Sequence, residues 1–366
     1  MRCCRGSLGT RGAEHFLESG LTAAPSAPTL VGGPHADDHA MQTKAGLRDQ
    51  TWTAGVKHWA GWMTLALALW LGAGCSIQRM AVNRIGDALA AGGATFASDD
   101  DPELIRAAVP FSLKLMESLL AESPRHQGLL LASASGFTQY AYAFVQQDAD
   151  ELEVTDFAGA ELLRDRARRL YLRARDYGLR ALETSHRGLV AALYDDPRAA
   201  LRQTRRRDVP VLYWTALAWG ATIAVSKDDP HRVAEIPQME ALIDRALELD
   251  EGYGEGAIHT FLITYEMSRE GALGAPADRA RHHFARALEL SQGRLASPWV
   301  ALAEAVSLQE QRVEEFDRLL GQALAIDPDA YPEFRLMNLI IQRRARWLLS
   351  QREDLFLIPE GAPDDE

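Results

Sequence analysis

Apolar helix-like stretches alternate with short turns of Ser, Asp, Gly and Pro, and one such junction is written several times. It reads Ala-Leu-Glu-Leu-Asp-Glu-Gly at Ala246, Ala-Leu-Glu-Leu-Ser-Gln-Gly at Ala287 and Ala-Leu-Ala-Ile-Asp-Pro-Asp at Ala323. Looser copies begin at Ala181 and Leu119. In each, an apolar helix end meets a turn and a new helix starts. The three regular copies lie 41 and then 36 residues apart. A repeat of this length is one helix pair, which cannot bury its apolar face alone and must stack on its neighbours.

Helix boundaries are legible in several places. Asp-Pro steps stand at Asp101-Pro102, Asp196-Pro197, Asp229-Pro230 and Asp327-Pro328. An aspartate at the N-cap accepts from free backbone N–H groups, and proline suits the first helical position. The pattern predicts helices over about 76–91, from 102 onward, 157–182, 209–225, 233–249, 253–269, 277–290, 298–309, 313–326 and 332–349. The expected fold is all-α, a solenoid of antiparallel helix pairs similar to tetratricopeptide (TPR-like) helical repeats, whose period is about 34 residues.

Two helices carry many aromatic residues. In 136–145, Phe137, Tyr140, Ala141 and Phe144 share one face, while Gln139, Tyr142 and Gln146 fall on another. The stretch 209–225 has no charge and includes Tyr213, Trp214 and Trp219. A helix apolar all round is buried in a core or an oligomer centre. Gln139, Tyr142, Tyr213, Trp214 and Trp219 are therefore the candidates to line an apolar groove or an oligomer-lined channel, with plain core packing as the competing account. The helix 157–182 holds Arg164, Arg166, Arg168, Arg169, Arg173, Arg175 and Arg180, with acids at Glu161, Asp165 and Asp176 at pairing distance. It reads as a solvated face. Arg202, Arg205, Arg206 and Arg207 form a second basic patch.

Charge narrows the choice of partners. The chain carries a formal charge of −12, which argues against nucleic acid, whose binding depends on cations displacing counterions. The cysteines are Cys3, Cys4 and Cys75, so the body has no disulfide framework.

The N-terminus reads as an address. Residues 1–40 have no apolar period and are expected to be disordered or a misassigned extension. Residues 41–74 look like a signal peptide: Lys44, Arg48 and Lys57 precede Trp59–Gly74, a run of 16 almost wholly apolar residues. Gly-Ala-Gly then leads into Cys75, which looks like the lipidated cysteine of a bacterial lipoprotein. An ordinary secretory signal or an uncleaved anchor is the alternative. Ser76 favours the outer membrane. Residues 75–97 form an anchor-proximal segment with a first helix, 98–349 the repeat domain, and 350–366 an acidic tail.

No His-Glu-x-x-His, Cys-x-x-Cys, P-loop or Gly-x-Ser-x-Gly occurs. Gly252, Gly254 and Gly256 mark a turn. His282 and His283 are adjacent, so they point to different helix faces. His259 and Glu266 share a face at a seven-residue spacing. No nucleophile, base and orienting group can be assembled, so neither catalysis, a cofactor nor a metal is expected.

The segments 98–146, 170–183, 209–230 and 246–259, in that order, resemble the T-component family of tripartite ATP-independent periplasmic (TRAP) transporters. The resemblance implies a periplasm-facing lipoprotein of helical repeats that self-associates as a homo-oligomer and docks a periplasmic solute-binding protein. A general helical-repeat lipoprotein for envelope protein or polysaccharide assembly is the other function considered.

Overall fold

The computed structural model describes residues 83–89 and 93–357. The signal segment, Cys75 and most of the acidic tail lie outside the described residues. Within them the protein is all-α, with no strand.

Residues 83–89 are helical, and a short helix follows at Gly93–Ala97. The longer helices are α1 (Pro102–Glu122), α2 (Gln127–Ala141), α3 (Phe157–Ser185), α4 (Leu189–Asp195), α5 (Pro197–Leu201) and α6 (Val209–Ala224). They continue as α7 (Ile236–Leu249), α8 (Ala257–Tyr265), α9 (Pro276–Ser291), α10 (Ser297–Leu302), α11 (Val313–Ala325) and α12 (Arg335–Ser350). All four Asp-Pro steps cap a helix or a helical turn. Asp101 Oδ1 accepts from the N–H groups of Glu103 and Leu104, both at 3.0 Å. Asp196, Asp229 and Asp327 each accept in the same manner.

Some boundaries differ from the pattern. The helix expected from 253 starts at Ala257, because Gly254, Glu255 and Gly256 all take positive φ and first make a tight turn. The one expected from 298 runs only to Leu302 as an α-helix. It passes into a π-helical turn, Ala303–Ser307. A second π-turn, Tyr142–Gln146, follows α2 and leads into a short helix, Gln147–Leu152.

Packing concentrates in cores with distinct members. α3 lies across α2 and α6. It comes so close at Gly178 that an added Cβ would sit 2.1 Å from the Thr215 hydroxyl oxygen. The uncharged α6 supplies Val209, Leu212, Ala216 and the fully buried Trp219 to a core shared with α4, α5 and α7. Phe137, Tyr140, Ala141 and Phe144 are buried together, as their common face predicts, against Ala167, Tyr171 and Ala174 of α3. A further core joins α8 to α12 through Ile263, Ala287, Val300, Phe316 and Leu348. The last helix also turns back to the start of the domain: Arg335 Nη1 donates to the Ser98 carbonyl at 3.0 Å.

Candidate functional site

Tyr142 is packed against both the α2–α3 core and the α8–α12 core. It opens the π-turn after α2. A π-turn inserts one residue into the helical register, so the side chains after it face directions that a regular wheel would not give them. Here it turns Asp148, Asp150 and Glu151 toward α12. The turn also leaves the Phe144 carbonyl to accept from Arg106 Nη1 at 3.3 Å.

An ionic seam runs along this junction. Arg343 Nη2 donates to Asp148 at 2.8 Å and to Glu151 at 2.7 Å. Arg106 of α1 pairs with the same Asp148. Arg344 Nη1 donates to Asp150 at 3.0 Å and Nη2 to Glu304 at 2.7 Å. Glu304 sits on the other π-turn, so Arg344 ties that turn to the short helix following the first one. Its guanidinium also lies 4.3 Å from the Trp347 ring centroid, a favourable cation–π geometry. Burial raises the carboxyl of Asp150 above its ordinary range. Burial acts on Asp148 too, but hydrogen bonds from Arg106 and Arg343 hold it below.

Inside the seam the Tyr142 hydroxyl is pushed up to about 12, first by burial and then by the charge of Glu304. Next to it Gln147 is 1% exposed. Its amide lies against the Tyr142 hydroxyl, close enough to act on it as a hydrogen-bonding neighbour although outside strict hydrogen-bond geometry. A buried polar group in poor hydrogen-bond geometry is costly, by about 1–3 kcal/mol when wholly unpaired, so the Tyr142–Gln147 contact matters to this junction. Beneath it, Tyr171 donates to Gln146 Oε1 at 2.6 Å.

The five aromatic and polar candidates are distributed rather than gathered. Gln139 is exposed and donates to the Ser135 carbonyl at 3.3 Å. Tyr142 lies at the seam. Tyr213 is buried in the α6 core, with Trp214 part-buried beside it, ring centroids 5.1 Å apart, and Tyr253 at 5.3 Å. Trp219 is fully buried, donates from Nε1 to Glu235 at 2.8 Å and lies under the Arg175 guanidinium. Gln139, Tyr142 and Trp214 retain surface, while Tyr213 and Trp219 act through the core. Sequence reasoning passed over Gln147 and the arginines of α12, because nothing local marks their partners.

A second polar group was equally hidden. Nδ1 of His259 on α8 lies 2.8 Å from Nδ1 of His283 on α9, and His259 Nε2 lies 3.2 Å from Glu251. A carboxylate only accepts, so neutral His259 carries its proton on Nε2, and His283 must donate from Nδ1. Burial lowers both histidines, His283 to about 4. Glu266 does not join His259. It is buried against Arg269 and Arg279. Among the described residues no group of three or more His, Cys, Asp or Glu is placed to hold a metal ion.

The profile of the TRAP transporter T-component matches residues 98–356, from the first capped helix to the last described turn. The chain belongs to the TRAP transporter T-component family. A protein of Treponema pallidum (strain Nichols), described as uncharacterized, is 30% identical over 303 residues, which cover 78% of this chain and 94% of that protein. Membership gives this T-component an accessory role in TRAP transport, at the cell envelope. Among its described residues no helix is long and apolar enough to cross a membrane.

Proposed function

We propose that this chain is a non-enzymatic, lipid-anchored accessory of a TRAP-type transport system that docks a periplasmic solute-binding protein and helps receive its ligand. The match to the T-component family over residues 98–356 carries the reading. In this reading the helices are stacked pairs of a TPR-like solenoid, and Cys75 bears the lipid that holds the protein at the outer membrane. Tyr142, at the seam, marks the receiving surface, while Gln139, Tyr213, Trp214 and Trp219 lie elsewhere in the fold and are not assigned to it. The buried amide of Gln147 beside Tyr142 supports a polar character for that surface. Self-association is supported by α1, where Leu104 and Phe111 share one face at a seven-residue spacing and are 57% and 73% exposed.

The test is purification of the full, lipid-bearing protein from native envelope, followed by mass-spectrometric identification of what accompanies it. A solute-binding protein and TRAP permease subunits are expected. Consistent recovery of outer-membrane assembly or polysaccharide-export proteins instead would replace this reading with that of a general envelope scaffold.

A further inference from the structure

The arginine-rich α3 presents a row that the seam and the receiving surface do not use. Arg166, Arg169, Arg173 and Arg180 are all exposed, and their spacings of three, four and seven place them on one side of the helix. The row spans about 21 Å at 1.5 Å per residue. Three of the four lie over aromatic rings: Arg166 over Tyr140 at 5.9 Å, Arg173 over Phe137 at 5.3 Å and Arg180 over Tyr177 at 5.2 Å. Phe137 and Tyr177 are themselves stacked, 6.0 Å apart. The guanidinium planes are thereby held in place, which lowers the entropy lost when they bind.

Their charges are largely unspent. Among the described residues Arg166, Arg169 and Arg180 have no carboxylate within 4.0 Å, and Arg173 reaches only Glu117, at 3.5 Å. Glu117 is already engaged by Lys114 and by the Tyr177 hydroxyl. On the same helix Arg164, Arg168 and Arg175 are paired. The row borders an open groove of about 480 Å³ lined by Arg169, Leu172, Arg173, Asp176, Tyr177 and Arg180. Asp176, the one acid there, is bonded to Arg175. A cationic row on a chain of net charge −12 is a local reversal of sign.

We infer that this groove on α3 docks an acidic segment of the partner protein, with carboxylates at helical spacing meeting Arg169, Arg173 and Arg180. The inference deepens the docking reading above and rests on it for the partner's identity. A linear row beside an open groove whose lining includes Leu172 and Tyr177 suits a helix or extended segment better than a flat anionic bilayer.

The test uses the full chain and three probes: the cognate solute-binding protein, a synthetic helical peptide with glutamates every three and four residues, and phosphatidylglycerol vesicles. Arg169→Glu/Arg173→Glu is compared with Arg318→Glu, an exposed arginine on α11, with circular dichroism confirming that each variant is folded. The double reversal is expected to weaken binding of both protein and peptide about tenfold or more, and the control less than about twofold. Wild-type affinity for both is expected to fall with added salt. If the solute-binding protein binds but ignores the double reversal, the inference is overturned and the docking reading stands. If it does not bind at all, the docking reading fails, and the peptide then decides whether α3 takes an acidic segment. No peptide binding at low salt, equal losses in the control, or vesicle binding that is tighter than peptide binding and lost in Arg169→Glu/Arg173→Glu would each overturn it.

Discussion

Replacing Arg344 by methionine keeps most of the side-chain volume and removes the charge that joins Asp150 to Glu304. Arg344 is 14% exposed at its side chain, Asp150 23% and Glu304 28%. Removing one partner of a fully buried ion pair costs about 3–5 kcal/mol, because the remaining charge stays without compensation. With a quarter of each carboxylate reached by solvent, and with Arg164 still 3.9 Å from Asp150, the expected loss is about 2 kcal/mol, including the contact with Trp347. The source of that loss is checkable. Burial already raises Asp150, so neutralising the stranded acids should restore stability. Urea unfolding of wild type, Arg344→Met and Arg344→Met/Asp150→Asn/Glu304→Gln measures both steps. The triple variant should recover at least about 1 kcal/mol of the loss. A loss below about 1 kcal/mol, or no recovery, would refute the view that compensated charge holds this junction.

The histidine pair sets an acid dependence. Both folded pKa values lie below the ordinary 6.5, with His283 at about 4. The unfolded chain therefore takes up protons first, so stability is full above 6.5 and declines as the pH falls toward 4. The expected decline is on the order of 1–2 kcal/mol after solvent screening. Urea midpoints at pH 7.5 and 4.5 should show a smaller drop for His283→Gln than for wild type; identical drops would contradict the assignment. Asp101→Ala removes two accepted backbone bonds at the start of α1 and should cost about 1 kcal/mol in the same assay. Cys75→Ser should move the protein from the membrane to the soluble periplasmic fraction, and a variant that stays membrane-bound and processed like wild type would remove the lipid anchor from the account.

Much of the fold was legible because its causes are local. An aspartate before a proline caps a helix wherever it occurs, and all four such steps do so. An uncharged 16-residue α6 had to be buried, and Trp219 is. The shared face of Phe137, Tyr140 and Phe144 was likewise sufficient to place them in a core. The π-turns were not legible, since neither Tyr-Ala-Phe-Val-Gln nor Ala-Glu-Ala-Val-Ser marks the inserted residue. The seam depends on them and on partners 194 and 195 residues away in sequence. His259 and His283 meet only because α8 packs on α9. Within one helix, adjacency predicts that His282 and His283 take different faces, yet their rings meet edge-to-face with centroids 5.6 Å apart, and spacing says nothing of a ring on the neighbouring helix. The arginines of α3 were visible as a run. Which of them lack a carboxylate partner is a property of the packed surface.

The central claim is that this T-component works by holding a solute-binding protein. Isothermal titration of the purified soluble form, beginning at residue 76, against the solute-binding protein of its own TRAP system tests it most directly. Saturable binding, with a Kd of about 10 μM or tighter and weakened by added salt, is the expected result. No heat and no complex by analytical ultracentrifugation at about 100 μM of each protein would contradict the claim.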